Sequence, residues 1–281
     1  MLFGTLKIKG FTLLAVLTGF SIAASAQTTI SATNATKPVV ARKIIPKRPK
    51  PLRAELSFGY RLNSDGWSIY TDKGYVRSDE GKLSDQFFNL RMAQIEFTEH
   101  KDPRQTKKKF EDVSGNQTKA FVYGKINNFY ALKLGYGVRK MIAGKPEPGT
   151  VSIHWFGTGG LSIGMEKPYY IEGLAPQDGV GPLVQQTMKY SETNKDYFLD
   201  DRYIIGGSGF AKGIDEIQFV PGLHAKAGLH FDFAANKKTV LAVETGINAE
   251  LYTRKIQIMA REDGKQYFVN IFAAIQFGKR W

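Results

Sequence analysis

Apolar and polar residues alternate along the second half of the chain in long runs. Between positions 130 and 139 every even residue is apolar and every odd residue is small or basic. Between 223 and 233 the odd positions are apolar, whereas the even positions carry histidine, lysine, glycine and aspartate. Because successive side chains of a β-strand point to opposite faces, each run predicts a strand with one apolar and one polar side.

The same alternation predicts about ten strands from residue 54 onward. They are expected at 54–62, 67–76, 87–99, 120–126, 129–141, 151–156, 161–166, 223–234, 240–255 and 267–278. Single-chain bacterial barrels normally have an even number of strands. Eight is therefore the alternative, reached if 67–76 and one other segment do not span. The third run changes face between Met92 and Ile95, which predicts a β-bulge.

Short segments rich in Asn, Asp, Lys and Gly predict the tight turns, because several of these residues favour turn geometry. These turns are expected at 63–66, 127–128, 157–160 and 236–238. Two longer segments lack sustained alternation and are expected to be loops, the basic segment 101–119 and the glycine-rich segment 173–221.

The first 26 residues have the features of a cleaved secretory signal peptide. Lys7 and Lys9 precede a mostly apolar stretch at 11–22, and Ala24-Ser25-Ala26 supplies small residues for cleavage. Residues 27–53 then carry seven basic residues, four prolines and no acid after position 36. Proline removes backbone donors and like charges repel, so we expect a disordered basic Pro-rich segment before the first strand.

Composition narrows the chemistry of the chain. It has no cysteine, so disulfides, thiolate metal sites and a cysteine-linked lipid anchor are excluded. The formal net charge of +13 favours anionic partners. Nucleic acid is not expected as a partner of an exported protein.

Alternation alone does not say which face of a barrel is inside, since a soluble barrel hides its apolar face. The polar faces here mix charged residues with small ones, which suits a narrow lumen. Aromatic residues recur near the expected strand ends, where they suit the two membrane interfaces. These are Trp67, Tyr70, Tyr75, Phe87, Tyr130, Trp155, Tyr169, Tyr170, Tyr252, Tyr267 and Trp281. The prediction is an all-β fold, an antiparallel up-and-down transmembrane β-barrel over residues 54–281.

The last run resembles the C-terminal strand by which outer-membrane proteins are recognised for insertion. Its apolar face is odd-numbered from Tyr267 to Phe277, and Trp281 has the same parity. Gly278-Lys279-Arg280 departs from that pattern, in which the strand usually continues to a terminal Phe.

Three further segments, at 123–129, 132–137 and 212–223, are similar to the porin-like outer-membrane barrels of Gram-negative bacteria, of the Bacteroidota type. The resemblance implies a fold and a location in the outer membrane, and it implies no reaction. In that setting the long 173–221 loop is expected outside the cell, because the long loops of such barrels are extracellular.

The four histidines offer little catalytic or metal chemistry. His224 and His230 share a strand face but lie roughly 20 Å apart at about 3.3 Å per residue, too far for one metal. His154 with Ser152 or Ser162, or His230 with a cross-strand serine, would be needed for a lipid deacylase, since a nucleophile requires a base within hydrogen-bond reach. Packing in the lumen is the expected role, and no cofactor, metal or catalytic residue is predicted.

Two basic clusters are the candidate binding residues for anionic partners. The first lies in the Pro-rich segment and comprises Lys37, Arg42, Lys43, Lys47, Arg48, Lys50 and Arg53. The second lies in the loop after the third strand and includes Lys107, Lys108 and Lys109. Each is also compatible with an ordinary solvated segment.

The predicted function is a non-enzymatic outer-membrane barrel, a structural or accessory subunit of an envelope complex. A narrow porin-like channel for small solutes and a lipid-modifying enzyme are the alternatives. The expected partners are outer-membrane lipid and lipopolysaccharide, with peptidoglycan or other envelope proteins as further candidates for the basic tail.

Overall fold

The computed structural model describes residues 52–76, 89–111, 117–144, 150–176, 181–234, 238–261 and 263–281. The predicted signal peptide and nearly all of the Pro-rich segment lie outside these residues. The strands are β1 Ala54–Asn63, β2 Gly66–Val76, β3 Asn89–His100, β4 Lys107–Lys108, β5 Phe121–Val122, β6 Asn127–Ala143, β7 Ser152–Pro168, β8 Tyr170–Pro176, β9 Leu183–Lys189, β10 Ile204–Gly207, β11 Gln218–Asp232, β12 Thr239–Ile256 and β13 Lys265–Arg280. A short helix α1, Lys195–Phe198, and a 3-10 turn, Asp201–Tyr203, lie between β9 and β10.

Eight strands close into one antiparallel barrel in the order β1-β13-β12-β11-β7-β6-β3-β2. The predicted all-β antiparallel barrel is confirmed, with eight strands, the lower of the two expected numbers. The eight-stranded alternative assumed that 67–76 does not span, but this segment forms β2, which pairs with β1 and β3 in the barrel. Instead, 151–156 and 161–166 are parts of β7, and 120–126 contributes only β5, which pairs with β4 outside the barrel.

The turn predicted at 157–160 is wrong, because these residues lie inside β7 and Gly160 approaches the β6 backbone closely. An ideal Cβ on Gly160 would lie 1.9 Å from the carbonyl oxygen of Leu134 on the neighbouring β6, so a side chain there requires the backbone to shift. The turn predicted at 127–128 is also wrong, since both asparagines begin β6. The Nδ2 atom of Asn127 donates to Glu166 Oε1 at 2.9 Å and to the Gln257 carbonyl at 2.8 Å.

The bulge predicted in β3 is absent from residues 89–100, whose pairing with β2 and β6 runs without a register shift. Leu90 and Met92 face the lumen and pack with Phe156 and Phe272. The change of face therefore reflects an apolar patch inside the barrel. The turn at 63–66 is confirmed between β1 and β2, whereas the one predicted at 236–238 falls mostly outside the described residues.

The apolar faces of the strands point outward and the polar faces point inward. Large outward side chains remain between 38% and 66% exposed along the barrel wall, among them Phe58, Leu62, Ile95, Leu132, Leu134, Leu161, Leu223, Leu241, Ile247, Ile271 and Ile275. This is the arrangement of a transmembrane barrel, in which lipid covers the outer face. Among the described residues, no helix is long and apolar enough to cross a membrane.

Aromatic side chains lie on the outer wall of the barrel at two levels. At one level the rings of Tyr60, Trp67, Phe97 and Tyr130 follow one another across β1, β2, β3 and β6, with centroids 6.3, 6.3 and 5.8 Å apart. At the other level, near the chain ends, lie Tyr75, Trp155 and Trp281, on average about half exposed. Two of the predicted interfacial rings, Tyr70 and Tyr252, instead point into the lumen, where their hydroxyls donate to Glu244 and Glu250; Phe87 lies outside the described residues.

The two ends of the barrel differ in the length of their connections. At the terminal end, β1 begins beside the end of β13, and Trp281 exchanges backbone hydrogen bonds with Ala54. Strand β13 continues to Arg280, two residues beyond its expected end, so the residues that depart from the terminal pattern do not interrupt the strand. The opposite end, called the loop end, carries the long connections 101–126 and 169–217.

The loop end is covered by a folded cap. Strands β10, β8 and β9 form a three-stranded sheet within the 169–217 connection, so the loop predicted at 173–221 is largely structured. The cap has its own apolar core, built from Phe121, Ile126, Ile171, Ala175, Met188, Phe198 and Ile204. Backbone hydrogen bonds from Ile126 to Ile258 and from Ala260 to Gly124 tie in the β12–β13 connection.

Candidate functional site

The middle of the lumen contains a buried cluster of charges centred on Glu96 of β3. Its carboxylate accepts hydrogen bonds from Arg61 on β1, Lys133 on β6 and Lys226 on β11, with the Lys133 contact at 3.2 Å. All four side chains are at most 1% exposed. One carboxylate therefore joins three cations from three other strands.

Two glutamates of β12 balance the remaining positive charge. Glu250 accepts from Lys133, and Glu244 lies 3.4 Å from both Arg61 and Arg139. Burying such ions is costly unless each is paired and hydrogen-bonded. Every one of these cations contacts at least one carboxylate from a non-adjacent strand, so each is paired, although the Nε atoms of Arg61 and Arg139 lack a hydrogen-bond partner.

The pairs cross the barrel. Glu96 and Lys226 belong to β3 and β11, which are separated by β6 and β7 on the shorter path around the wall. Lys133 and Glu250 belong to β6 and β12, separated by β7 and β11. An eight-stranded barrel has an interior just wide enough for side chains to fill, and these transverse pairs occupy its centre.

Apolar and aromatic side chains lie above and below the charged layer. The guanidinium of Arg61 is 4.1 Å from the ring centroid of Tyr70 and 4.5 Å from that of Phe272. Toward the loop end, the rings of Phe129, Tyr252 and Phe268 pack together with centroids 5.1 to 5.9 Å apart. Buried side chains thus occupy the lumen at several levels.

The histidines do not form the pairs that a deacylase would need. Ser162 lies 3.0 Å from the hydroxyl of Tyr252 and therefore shares a hydrogen bond with it instead of with His154. His154 packs edge-on against His230, with ring centroids 5.6 Å apart, and His230 is hydrogen-bonded to Glu244 at 3.0 Å. Within the described ranges, no group of three or more His, Asp and Glu is arranged to hold a metal ion.

The structure separates the predicted basic residues. Lys37, Arg42, Lys43, Lys47, Arg48 and Lys50 lie outside the described residues, and Arg53 is exposed at the terminal end. Lys107, Lys108 and Lys109 lie at the loop end, where Lys108 is 2.5 Å from Asp201 and 4.6 Å from the centroid of Tyr123. Lys109 contacts Gln117 at 3.3 Å. Lys107 is the member of this cluster whose positive charge acts on Lys125.

Two lysines at the loop end were missed by the sequence reasoning. Lys125 and Lys167 are 4% and 3% exposed, yet among the described residues neither has a carboxylate within ion-pair distance. Burial lowers the pKa of Lys125 to about 8, and the positive charges of Lys101, Lys107 and Lys167 add to this effect against the carboxylate of Glu99. The sequence does place Lys167 at an odd-numbered position of β7, where side chains face outward, and a charged residue on that face is unusual.

A cleft of about 430 Å³ opens at the loop end beside the β1–β2 turn, and Lys101 is among its lining residues. Its wall includes Asp65, whose Oδ2 atom is 2.8 Å from Nδ1 of the buried His100. His100 in turn contacts Glu250 at 3.2 Å, so the cleft is connected to the charged layer by hydrogen bonds.

No family model and no curated protein sequence matches the chain. Several solved structures resemble it, among them the following three. Neisserial surface protein A aligns with 82% of this chain and 96% of its own, at 10% identity and a TM-score of 0.33. Ail, the attachment invasion locus protein of Yersinia pestis in complex with a heparin analogue, aligns with 82% and 99% at 11% identity and a TM-score of 0.32. A major outer membrane protein from Thermus thermophilus aligns with 81% and 99% at 8% identity and a TM-score of 0.38.

Proposed function

We propose that the chain is a non-enzymatic barrel of the bacterial outer membrane, with a closed lumen and a folded cap at its outer end. It would serve as a structural or accessory component of the cell envelope. The observation that carries this proposal is the layer of transverse ion pairs around Glu96, which fills the lumen with buried side chains.

The outward apolar belt and its two aromatic levels support insertion into a bilayer. The predicted signal peptide supports export, and export of a β-barrel leads to the outer membrane. The sequence segments quoted above support a Bacteroidota-type origin. In this orientation the chain ends face the periplasm and the cap faces the exterior, since long loops of such barrels are extracellular.

Conductance separates this proposal from the narrow channel. The full chain, refolded and inserted into a planar bilayer, is expected to give no steady open currents, because ions would have to displace paired side chains. A matched variant in which Lys133 and Lys226 are both replaced by Ala removes two transverse contacts and is expected to conduct. Steady currents from the unaltered chain would favour the channel and contradict the closed lumen.

Subcellular fractionation tests the membrane location independently of conductance. The processed protein is expected in the envelope fraction that requires detergent for release. Recovery in the freely dissolved periplasmic fraction would contradict insertion.

The basic Pro-rich segment suggests a second contact of the same protein, on the periplasmic side. Its charges suit peptidoglycan or an acidic envelope protein. Deletion of residues 37–53 is expected to weaken co-purification with peptidoglycan or with the acidic envelope protein, while leaving the barrel folded. An unchanged amount of co-purified peptidoglycan or protein would contradict this second contact.

A further inference from the structure

A group of lysines lies at the loop end directly above the aromatic level of β2, β3 and β6. Glu99 faces outward on β3 and accepts a hydrogen bond from the indole of Trp67. Lys101 Nζ is 3.1 Å from the same carboxylate oxygen, so it sits immediately above that ring. The lysines and the membrane-facing aromatics are therefore continuous on one side of the barrel.

Lys125 and Lys167 extend this group toward β7. Lys125 Nζ is 3.3 Å from Gln105 Oε1 and 5.8 Å from the ring centroid of Tyr169. Lys167 stands near the end of β7, and its positive charge acts on the Lys125 ammonium, so the two lysines belong to one group. Lys107, on the short strand β4, pairs with Val122 and brings a fourth, exposed ammonium to this region.

Phe210 covers one end of the group. The ring of Phe210 lies 6.4 Å from that of Tyr130, and Lys167 Nζ lies 4.9 Å from the Phe210 centroid. Phe210 itself is 68% exposed, between two glycines with positive φ, Gly209 and Gly213. An exposed aromatic beside an outward lysine, at the level of the other interfacial rings, is suited to contact with lipid.

The charge balance of this group is positive. Glu99 is the carboxylate that contacts the group, and it is already bound by Trp67 and Lys101. Asp102, next to Lys101 in the chain, pairs with Arg104 at 3.8 Å. Among the described residues, Lys107, Lys125 and Lys167 lack a carboxylate within 4 Å. Sheltered cations without counter-ions are costly, and an anion above the group would offset that cost.

We propose that Lys101, Lys107, Lys125 and Lys167 bind the phosphate of a phosphorylated glycolipid in the outer leaflet, with its acyl chains on the adjacent aromatic wall. This inference rests on the proposed membrane location. The four lysines adjoin the apolar belt, and this position favours a phosphate carried by a lipid over a free phosphate. Basic pockets beside anionic head groups are an established way for membrane proteins to bind lipid.

Binding to purified lipid A in detergent micelles tests the proposal. The full refolded chain is titrated with lipid A carrying both phosphates, with its dephosphorylated form, and with inorganic phosphate alone. The phosphorylated lipid is expected to bind tightest. Each of the changes Lys107→Gln, Lys125→Gln and Lys167→Gln is expected to weaken its binding about fivefold, the effect of one lysine near an anionic surface.

Matched controls distinguish binding at this site from a general effect of positive charge on the protein surface. Lys73→Gln and Lys140→Gln remove lysines that lie over Tyr75 and Trp155 at the other aromatic level, and they are expected to leave lipid A binding unchanged. Lys167→Arg keeps the charge and is expected to bind as the unaltered chain does. The shift in gel mobility on heating verifies that each variant is a folded barrel.

Equal binding of the phosphorylated and dephosphorylated lipids would overturn the proposal, as would equal losses in the site and control variants. Competition by inorganic phosphate at the same concentration as the lipid would assign the site to a soluble anion and overturn the lipid assignment. None of these results would affect fractionation with the membrane, so failure of the site and failure of the membrane location are distinguishable.

Discussion

Lys226 on β11 donates a hydrogen bond to Glu96 on β3, across the lumen of the barrel. The two residues are 130 positions apart in the chain and are both nearly inaccessible to solvent. A contact of this kind cannot form until most of the barrel has closed. It therefore couples two strands that share no backbone hydrogen bonds with each other.

Replacing Glu96 by Gln should destabilise the barrel strongly. The change removes the carboxylate shared by Arg61, Lys133 and Lys226, and the expected loss is about 3–5 kcal/mol in the free energy of unfolding, the usual cost of breaking a buried pair. Urea unfolding of the full chain in lipid vesicles measures it.

The control for this change is Glu192→Gln, which removes an exposed pair with Lys195 at 3.4 Å. Exposed pairs contribute about 0–1 kcal/mol, so this variant should unfold like the unaltered chain. Similar stabilities of the two variants would show that the lumen charges do not hold the barrel together.

Gly160→Ala should interfere with folding, because the added Cβ would meet the Leu134 carbonyl oxygen at 1.9 Å. The matched change is Gly157→Ala in the same strand, where the nearest atom is 3.5 Å away in ordinary contact. The folded fraction after dilution into detergent, measured by gel mobility, should fall sharply for the first variant and stay near the unaltered level for the second. Equal folded fractions would contradict the close approach of β6 and β7.

The sequence predicted the faces of the strands better than their ends. The alternation in β11 and β13 matches the structure residue by residue, because lipid and lumen impose opposite requirements on neighbouring positions. Gly157–Gly160 and Asn127-Asn128 misled the turn assignment, since glycine and asparagine also serve close packing and strand-end hydrogen bonds. Leu90 and Met92 misled the register, since an apolar patch inside the lumen obeys no alternation rule.

The candidate sites were less accessible to sequence reasoning. Glu96, Lys133 and Lys226 each looked like an ordinary lumen charge, and their pairing depends on barrel closure between distant strands. Lys167 lies on the outward face of β7, and its proximity to Phe210 arises from a connection more than 40 residues long, 169–217. Spacing along the chain carries no information about such contacts.

The stability of the cap should rise with pH above about 8 because of Lys125. Burial and neighbouring lysines lower its folded-state pKa to about 8 from the usual 10.5. Between these values the unfolded chain binds more protons than the folded one, so the free energy of unfolding increases with pH. Below pH 8 both states are protonated, and the charged form bears the cost of burial.

Lys125→Met removes this titration. Thermal unfolding of the cap is monitored by proteolysis within 169–217 between pH 7 and 10. The unfolding temperature should rise with pH in the unaltered chain and should rise less in the variant. At pH 7 the variant should be the more stable of the two. An identical pH dependence in both proteins would mean that Lys125 keeps an ordinary pKa.

An arginine on the outer wall distinguishes a membrane barrel from a water-soluble one. Leu134 lies near the middle of β6 with 48% of its surface exposed, whereas Ile142, exposed to 59%, lies at the terminal end of the same strand. In a bilayer Leu134→Arg should cost about 2–4 kcal/mol and Ile142→Arg about 0–1 kcal/mol, because the penalty falls toward the interface. Unfolding in lipid vesicles gives both values. In water an exposed Leu→Arg change is close to neutral at either position, so equal and small effects would contradict lipid contact along the apolar belt.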